Sequence, residues 1–259
     1  MALTRWLALG LAVVIAAGFA AASRAGDWST IRIGTEGAYA PFNYHDAAGK
    51  LQGFDVDIAQ ALCDKMGVKC ELVAVQFDGI ILALQNSQID AIITSMAITE
   101  KRKKVVDFTD KYWTRFYRFI TCGSVPGEDS SPAALKGRKI GTQQGTVGDD
   151  FLEDEYKGSD VRLYKTMDDA YQDIGAGRLD AVLSGEAVAY DFMKKDAGKS
   201  CRFIGGRVVS DKLLPAKAGI AIRKTDADLR DKLNAALKQI LADGTYQKIN
   251  AKYFPFSIY

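Results

Sequence analysis

The chain has 259 residues, of which 48% are hydrophobic and 25% are charged, so it can form one large domain or two smaller ones, and it is neither disordered nor a coiled coil. Lys and Arg number 34 against 32 Asp and Glu, and because two of the bases lie in a predicted leader, the balanced remainder argues against nucleic-acid binding. The single histidine, His45, excludes a histidine-rich metal site, and a Ser-His-Asp triad would depend on that one side chain.

The chain begins with a predicted targeting segment over residues 1–25. Arg5 precedes an apolar run at 7–22, and residues 23–25 (Ser-Arg-Ala) have the small-x-small pattern of a cleavage site. An uncleaved anchor helix is the alternative, but the run is shorter than the roughly 18 to 20 residues that a membrane span needs. We therefore expect a mature protein that starts near Gly26 and lies in the periplasm or outside the cell.

After the leader, short β-branched segments alternate with helical patterns. Alternation of this kind predicts parallel strands flanked by helices. A first series has predicted strands at 30–33, 71–75 and 91–94 and predicted helices at 57–66 and 79–85. A second series has predicted strands at 139–142, 161–164 and 181–184 and predicted helices at 147–156 and 167–176.

The two series share sequence as well as pattern. The tripeptide Ile-Gly-Thr at 33–35 recurs at 140–142, and residues 89–94 resemble residues 179–184. Two matched segments in the same order favour a duplicated architecture. In each copy the matched letters lie at the carboxyl end of a strand, where open α/β sheets bind ligands. We therefore predict two lobes that enclose a crevice.

Two segments are expected to connect the lobes. Residues 116–121 look like a crossing strand, and a tail with a strand at 219–223 and helices at 226–241 and near 253 returns to the first lobe. The predicted lobes are then 26–115 plus 217–259 for the first, and 116–216 for the second. Two chain crossings form a hinge, which permits closure on a ligand.

Four cysteines follow the leader. Cys63 and Cys70 flank a turn, and a disulfide between them would contribute roughly 2 to 3 kcal/mol through loop entropy; two buried thiols are the alternative. Cys122 and Cys201 are free to pair with each other, but the sequence does not decide it. There is no CxxC motif, so neither a redox motif nor a zinc knuckle is predicted.

A carboxylate and two aromatic rings follow strands of the first lobe. Glu36 and Tyr39 lie three residues apart on the loop after the first strand, and Phe77 follows the second. Two rings over one carboxylate suit an alkyl chain that ends in a cation. The alternative is an ordinary turn with a solvated Glu and a packed Tyr.

The stretch after the third strand carries the anion-binding prediction. The strand ends in Thr94 and Ser95, and Thr99 can cap a short helix that brings Arg102 one turn later. The guanidinium of Arg grips a carboxylate with two bonds. The alternative is that Arg102 belongs to the solvated basic run at 101–104.

The second lobe offers polar groups at a helix N-terminus and at the end of the matched strand. Gln144 and Thr146 lie where a strand leads into a helix, and the exposed N–H groups there favour a ligand carboxylate or amide oxygen. The segment lacks the Gly and Lys pattern of a phosphate loop. Glu186 either clasps an ammonium group or simply lies in the first turn of a helix, where acids are favoured anyway.

Seven segments with characteristic letters occur in order along the chain. They are IGTEGAYAPF at 33–42, GFDVD at 53–57, FDGI at 77–80, DAIITS at 90–95, ITEKR at 98–102, GRLDA at 177–181 and DGTY at 243–246. In number and order they resemble the periplasmic solute-binding proteins of polar amino acid ABC importers, family 3. The likeness extends over nearly all of residues 31–259, and the most similar types are the lysine/arginine/ornithine-binding, histidine-binding and opine-binding receptors.

This resemblance implies a fold, a motion and a set of partners. The implied fold is α/β, the two-lobed type II periplasmic binding protein fold, in which each lobe is a mostly parallel sheet flanked by helices and two hinge crossings join the lobes. A monomeric receptor of this kind closes on its ligand and presents it to an inner-membrane ABC permease, without a cofactor or a metal. The resemblance also implies a disulfide between Cys63 and Cys70.

The resemblance further implies a role for each predicted site residue. By position, Arg102 binds the α-carboxylate, Tyr39 and Phe77 sandwich the side chain, and Glu36 meets a distal cation. The residues that assist the α-carboxylate are Thr94, Ser95 and the amides around Thr146.

Two departures bear on the ligand. Where basic amino acid receptors have an acid that clasps the α-ammonium, this chain has Gly185, with Glu186 next to it, and where they often have a serine it has Ala97. An unpaired buried ammonium costs several kcal/mol, so either Glu186 replaces the acid or the amine of the ligand is modified. We therefore predict a cationic amino acid or its opine-type conjugate, whose amine carries a second carboxylate-bearing arm.

Two other classes of protein are alternatives to a transport receptor. A few proteins on this scaffold are dehydratases of cyclic amino acid precursors, and Glu186 would then be a general acid. The sequence offers no complete acid/base pair in the crevice, which argues against that class. The sensory domain of a receptor kinase would need membrane and signalling segments after Tyr259.

Overall fold

Two five-stranded sheets organise the chain in a computed structural model, which describes residues 28–259 except Ser124, Lys212, Leu214 and Pro215. The predicted leader and its cleavage near Ala25 lie outside the described residues. In chain order the strands are β1 Thr30–Thr35, β2 Ala38–Tyr39, β3 Asn43–His45, β4 Leu51–Gln52, β5 Lys69–Ala74, β6 Ala91–Ile92, β7 Asp107–Arg115, β8 Tyr117–Thr121, β9 Lys139–Gln143, β10 Asp160–Tyr164, β11 Ala181–Gly185, β12 Arg202–Ile204 and β13 Ala216–Ile222.

Helices cover both sheets. They are α1 Phe54–Met66, α2 Ile80–Gln85, α3 Glu100–Lys103, α4 Val147–Glu155, α5 Met167–Gly175, α6 Glu186–Met193, α7 Ala227–Ala242 and α8 Thr245–Tyr253, with 3-10 turns at Phe77–Gly79 and Asp196–Gly198. Every strand and helix of the two predicted series is present, with ends that differ by up to three residues. The sequence prediction missed the small sheet β2-β3-β4 and the strands β7 and β12, and it included helix α6 only as the alternative for Glu186.

In each large sheet four strands run in one direction and one strand, β13 in the first and β8 in the second, runs against them. The strand order is β5-β1-β6-β13-β7 in the first lobe and β10-β9-β11-β8-β12 in the second. The α/β two-lobed prediction is confirmed, and each sheet is mixed, with four of its five strands in one direction. The chain crosses between the sheets from β7 to β8 and later back into β13, and β8 and β13, the strands that follow the crossings, run against the βα series.

Helix α1 shows how the sequence specifies its own local structure. Its apolar residues Phe54, Ile58 and Leu62 recur every four positions and are fully buried, which gives the helix one buried face. Acids in its first turn and Lys65 in its last complement the helix dipole. Gly67 ends the helix in the left-handed conformation.

The C-terminal tail packs against the first sheet and its helices. The ring of Phe254 lies 5.2 Å from that of Phe42 and 5.7 Å from that of Phe54. The hydroxyl of Tyr246 in α8 donates to the carbonyl of Tyr112 in β7 at 2.6 Å. These contacts fix β7, and therefore the start of the hinge, against the core of the first lobe.

Two disulfides brace the lobes. Cys63 bonds to Cys70 across the turn from α1 to β5, as implied by the resemblance. Cys122 bonds to Cys201, a pairing that the sequence left open, and joins the end of β8 to the start of β12. In the loop-entropy model, the second closes a much longer loop and contributes roughly 4 to 5 kcal/mol. Across the described residues, no helix has both the length and the apolar character of a membrane span.

Candidate functional site

A cavity lies between the two sheets, at the carboxyl ends of β1, β9 and β11, where open α/β sheets bind ligands. The first lobe contributes Glu36, Tyr39, Phe77, Thr94 and Arg115, and the second contributes Tyr117, Thr142, Gln143, Thr146, Met167, Leu183, Ser184 and Gly185. The space left between these walls is about 10 Å³, room for about one water. An amino acid can therefore enter only when the lobes or their side chains move apart.

The lobes touch each other directly around this cavity. The side-chain amide of Gln144 donates to Asp78 at 2.5 Å, and Lys101 forms an ion pair with Asp150 at 2.9 Å. Both contacts join the first lobe to the second at the exposed rim. The arrangement is a closed one, in which the crevice predicted from sequence has become an enclosed site.

Glu36 is the acid of the cavity. Its backbone N–H donates to Thr94 Oγ1 at 3.0 Å, and its Oε1 accepts from Gln143 Nε2 of the other lobe at 2.5 Å. Burial raises the pKa of Glu36 to about 8, against the smaller opposing effect of the Gln143 bond. No lysine or arginine of the described residues forms an ion pair with it. At neutral pH Glu36 is therefore protonated and ready to ionise against an incoming cation.

The two predicted rings, Tyr39 and Phe77, are both buried walls of this cavity. Each faces one of the protein's own guanidinium groups, Arg115 at 5.4 Å from the Tyr39 ring centre and Arg102 at 5.5 Å from that of Phe77. Cation-π contacts of this geometry are favourable, more so when they are desolvated. Each ring thus lies beside a guanidinium group of the protein itself.

Arg102 is buried, whereas its neighbours Lys101 and Lys103 are exposed. Thr99 caps the short helix α3 by accepting from the backbone N–H of Arg102 at 3.1 Å. The guanidinium donates to the carbonyl of Ala97 at 2.8 Å and, across the lobes, to that of Gly145 at 3.0 Å. Burial lowers the pKa of Arg102 to about 10. The side chain points towards the second lobe but is held by carbonyl groups just outside the cavity walls.

The sequence suggested that Ser95 helps to bind the α-carboxylate of the ligand, but in the structure its hydroxyl binds Asp55. Its hydroxyl donates to Asp55 at 2.9 Å, and its N–H donates to the hydroxyl of Tyr112 at 2.8 Å. Only its carbonyl turns towards the cavity, where it accepts from Arg115. Ser95 therefore holds the loop in place through Asp55, while Thr94 is the hydroxyl that lines the cavity.

Asp55 is a fully buried acid that the sequence analysis did not single out. It accepts hydrogen bonds from Asn43 at 2.7 Å, Tyr112 at 2.7 Å and Ser95. Burial raises its pKa to about 6, against these donors, which favour the carboxylate. Asp55 is therefore mostly ionised at neutral pH and fixes the loop behind the cavity.

In the second lobe, Thr146 is a wall and Gln144 is not. Thr146 caps helix α4, accepting from Asp149 N–H at 3.3 Å and donating to the Gln143 carbonyl at 2.8 Å. Gln144 points to the exposed rim. Gln143, the last residue of β9, is the glutamine that faces the cavity and was missed. The alternation of side chains along a strand explains why adjacent residues separate in this way.

Glu186 lies outside the cavity, in the first turn of helix α6, as the alternative interpretation held and contrary to the ammonium-binding and general-acid roles. Its carboxylate pairs with Arg207 at 2.8 Å and lies 3.7 Å from Arg118, in a separate pocket beside the hinge. Helix α6 begins at Glu186, which turns the side chain away, and the residue that reaches the cavity is Gly185. Glu186 therefore neither replaces the missing acid nor serves as a general acid there.

Arg115 is a second residue of the cavity, after Gln143, that the sequence analysis missed. It ends strand β7 at the hinge and is buried. Its Nη1 donates to the hydroxyl of Tyr117 at 2.6 Å and its Nη2 to the carbonyl of Ser95, while its Nε has no partner among the described residues. A single arginine among the aromatic residues 112–117 was the available signal. The described residues contain no cluster of His, Cys, Asp and Glu that would hold a metal ion.

Comparison with known proteins places this geometry in a family. Residues 31–256 match the model of the bacterial extracellular solute-binding proteins, family 3. A histidine-binding periplasmic protein of Salmonella typhimurium is 39% identical over 258 residues, which is 98% of each chain. An L-arginine-binding protein of Pseudomonas aeruginosa is 43% identical over 232 residues, covering 88% of this chain and 89% of that protein.

A solved structure shows the same architecture. An ancestral arginine-binding protein, bound to arginine, superposes with a TM-score of 0.81 at 38% identity, covering 87% of this chain and 98% of that one. Each of these three relatives is described as a binding protein rather than an enzyme.

Proposed function

Because the chain belongs to the bacterial extracellular solute-binding proteins of family 3, we propose that it is the periplasmic binding component of an ABC importer. Its ligand is a cationic amino acid of the lysine, arginine or ornithine type, or an opine-type conjugate of one. The ligand binds in the cavity between the lobes, which close around it. The loaded, monomeric receptor then presents the ligand to an inner-membrane ABC permease.

The observation that carries this proposal is Glu36, a buried acid that forms no ion pair within the part of the chain that the structure describes. A buried carboxylate is costly unless it is neutral or paired, and the raised pKa of Glu36 shows the cost in the absence of a partner. An ammonium or guanidinium group that arrives beside it supplies the missing charge. The alkyl chain behind that cation then lies against the rings of Tyr39 and Phe77, which are buried walls of the same cavity.

The other end of the ligand meets positive charge and N–H groups. The guanidinium groups of Arg102 and Arg115 approach from the first lobe, and the N-terminus of helix α4, capped by Thr146, approaches from the second. A carboxylate accepts bonds from both kinds of donor. For Arg102 to reach a ligand, its guanidinium must exchange a carbonyl partner for the carboxylate. The separation of cationic and anionic subsites favours a ligand with charges at both ends.

Calorimetric titration of the purified protein tests the proposal. The panel is lysine, arginine, ornithine and the opines octopine and nopaline, with aspartate as an acidic amino acid for comparison. We expect heat from at least one cationic compound and none from aspartate, since an acidic side chain would meet Glu36. No binding by any of the cationic compounds would reject the proposal.

A matched pair of variants locates the site. Glu36→Gln removes the buried charge but keeps the size of the side chain, whereas Glu153→Gln makes the same change at an exposed position of α4. Loss of one partner of a buried charge pair costs about 2 to 5 kcal/mol, so Glu36→Gln should weaken binding of the cationic ligand by roughly 100-fold. Equal affinities for the two variants would place the ligand elsewhere.

A further inference from the structure

The surroundings of Gly185 suggest why this position has no side chain. A Cβ atom built there would lie 2.9 Å from the hydroxyl of Tyr39 and 3.6 Å from Cδ of Arg115. The backbone of Gly185, with φ −58° and ψ 130°, is open to other residues. Space and charge, rather than backbone conformation, therefore set this position apart. An acid here would run into Tyr39 and lie beside the Arg115 side chain.

Arg115 brings a positive charge close to Gly185. It forms no ion pair with an acid in the part of the chain that the structure describes, and its two hydrogen-bond acceptors are a carbonyl and a phenol. Its positive charge is among the causes that lower the pKa of Arg102, so the two guanidinium groups lie close enough to repel each other. Two acids feel the charge of Arg115, Asp55 and Glu36, but three neutral donors already surround Asp55 and Glu36 is the acid assigned above to the distal cation of the ligand.

We propose that Arg115 is a second anion-binding residue, and that the ligand carries a carboxylate on its α-nitrogen, or in place of that nitrogen, beside Gly185. This inference rests on the proposed function and specifies its ligand. A free α-ammonium at this place would meet the Arg115 guanidinium while Glu36 is engaged by the distal cation of the ligand, which is unfavourable at short range in a buried site. A second carboxylate would accept from Arg115, including the Nε that lacks a partner.

The chemical class that fits is an amino acid whose α-nitrogen bears a carboxyalkyl arm. Its secondary ammonium lies between two carboxylates, one directed to Arg102 and the helix α4 N-terminus, the other to Arg115. A cationic side chain at the far end pairs with Glu36. Each charged group of such a ligand thus meets a group of opposite charge, which a free cationic amino acid does not achieve at its α-nitrogen.

Three compounds that differ only at the α-nitrogen test this directly. Arginine has a free amine, Nα-acetylarginine has neither the amine charge nor a second carboxylate, and octopine has the carboxyethyl arm. In calorimetry with the full mature protein, we expect octopine to bind at least roughly tenfold more tightly than either of the others. Arginine binding as tightly as octopine would overturn this inference and leave the proposed function standing, as would binding of lysine or ornithine alone, whereas no binding by these three compounds or by lysine, ornithine and nopaline would reject both.

Variants then assign the preference to Arg115. Arg115→Met keeps length and removes charge, and Arg115→Lys keeps charge without the planar fork. We expect Arg115→Met to weaken octopine binding by roughly 100-fold while arginine affinity stays the same or rises, and Arg115→Lys to restore part of the octopine affinity. Arg118→Met is the matched control, because Arg118 is a partly buried arginine three residues away whose side chain lies against Glu186 and Phe203, outside the cavity. An equal loss for octopine and arginine in Arg115→Met would mean that Arg115 merely maintains the structure, and would overturn the assignment.

Thermal unfolding of the ligand-free variants provides a second measurement. Replacement of a buried charge that lacks an acidic partner by an apolar side chain is often neutral or stabilising. We therefore expect the Tm of Arg115→Met to equal or exceed that of the natural protein. A large drop in Tm would show that the two hydrogen bonds of Arg115 hold the hinge, and would count against a role in ligand recognition.

Discussion

The two walls of the cavity differ in charge. The first lobe brings Glu36 and Arg115, with Arg102 just behind, whereas the second lobe offers only neutral groups among its described wall residues. Those neutral groups are hydroxyls, the Gln143 amide and the start of helix α4. The difference suggests a division of labour in which the first lobe recognises the charged ends of a ligand and the second lobe completes the hydrogen bonds on closing.

The same contrast appears in how each wall is supported. Behind the first wall, the buried Asp55 fixes Ser95, and Ser95 in turn accepts from Arg115. In the second lobe, Ser184 bonds to Tyr171 at 2.6 Å and Thr142 to the Leu183 carbonyl at 3.0 Å, without any charge. A preorganised charged wall can select a ligand before closure, because its groups need not rearrange when the ligand arrives.

The largest expected effect comes from adding a charge to the neutral wall. In Gly185→Asp, the Tyr39 hydroxyl must shift to admit the side chain, and the new carboxylate pairs with Arg115 and repels a second ligand carboxylate, so octopine should bind roughly 100-fold more weakly. The affinity for arginine should fall much less, because its α-ammonium then meets an acid that offsets the displacement of Tyr39. Calorimetry with both ligands measures the change in preference.

Gly206→Asp is the matched control for that variant. It adds the same charge to the second lobe at an exposed position, where a side chain meets nothing within 4 Å. Similar losses of octopine affinity in the two variants would show that net charge acts at long range, and that the neutrality of the wall at Gly185 has no special part in recognition.

The raised pKa of Glu36 in the first lobe also predicts how ligand affinity depends on pH. Because the pKa of Glu36 is about 8 without a cation, a cationic ligand must expel its proton at neutral pH. We expect release of about one proton per ligand at pH 6.5, and an affinity that rises about tenfold per pH unit until pH 8, where it levels off. Titrations in buffers with different ionisation enthalpies measure the released proton, and Glu36→Gln should release none.

The same group affects the stability of the ligand-free protein, with a defined sign. The folded-state pKa of Glu36 lies above its ordinary value of 4.5, so its contribution to folding is greatest below pH 4.5 and is lost as the pH rises towards 8. The difference in Tm between the natural protein and Glu36→Gln should therefore change steadily across this window. A difference that is independent of pH would contradict the raised pKa.

The hydrogen bond that Gln143 of the second lobe donates to Glu36 should contribute less to ligand affinity than the charge of Glu36 itself. Gln143→Ala removes the amide that donates to Glu36, and hydrogen bonds to charged groups contribute about 1.5 to 3 kcal/mol. We expect about tenfold weaker binding of the cationic ligand, smaller than the effect of Glu36→Gln. Equal effects of the two variants would mean that the second lobe recognises charge as strongly as the first.

The sequence predicted the second wall's scaffold better than the charged wall's chemistry. The βα series were visible because β-branched strands alternate with amphipathic helices, and Glu36, Tyr39, Phe77 and Thr94 follow such strands. Strand β7 was missed because its sequence, DFTDKYWTR, has charges interspersed among aromatic residues and no regular alternation. Because β7 was missed, Arg115 at its end was missed as well. Its position in the cavity depends on the crossing between the sheets.

Neighbouring residues in sequence were separated by the fold in two cases. Gln143 faces the cavity while Gln144 faces the rim, and Gly185 reaches the cavity while Glu186 turns to Arg207. Composition cannot distinguish the members of such pairs. Only the register of β9 and the start of α6 decide which side chain points inwards, and both follow from tertiary packing rather than local sequence.

The smallest expected effects belong to the rim, where the lobes meet in solvent. Lys101 and Asp150 form an exposed ion pair, and exposed pairs contribute about 0 to 1 kcal/mol. Lys101→Ala should therefore change ligand affinity by less than about fivefold, and the change should disappear at high salt, since exposed charges are screened. Calorimetry at two salt concentrations measures this. If the variant instead lost affinity as strongly as Gln143→Ala at both concentrations, closure would depend on the rim as much as on the buried wall, because a salt-independent loss cannot come from a screened surface pair.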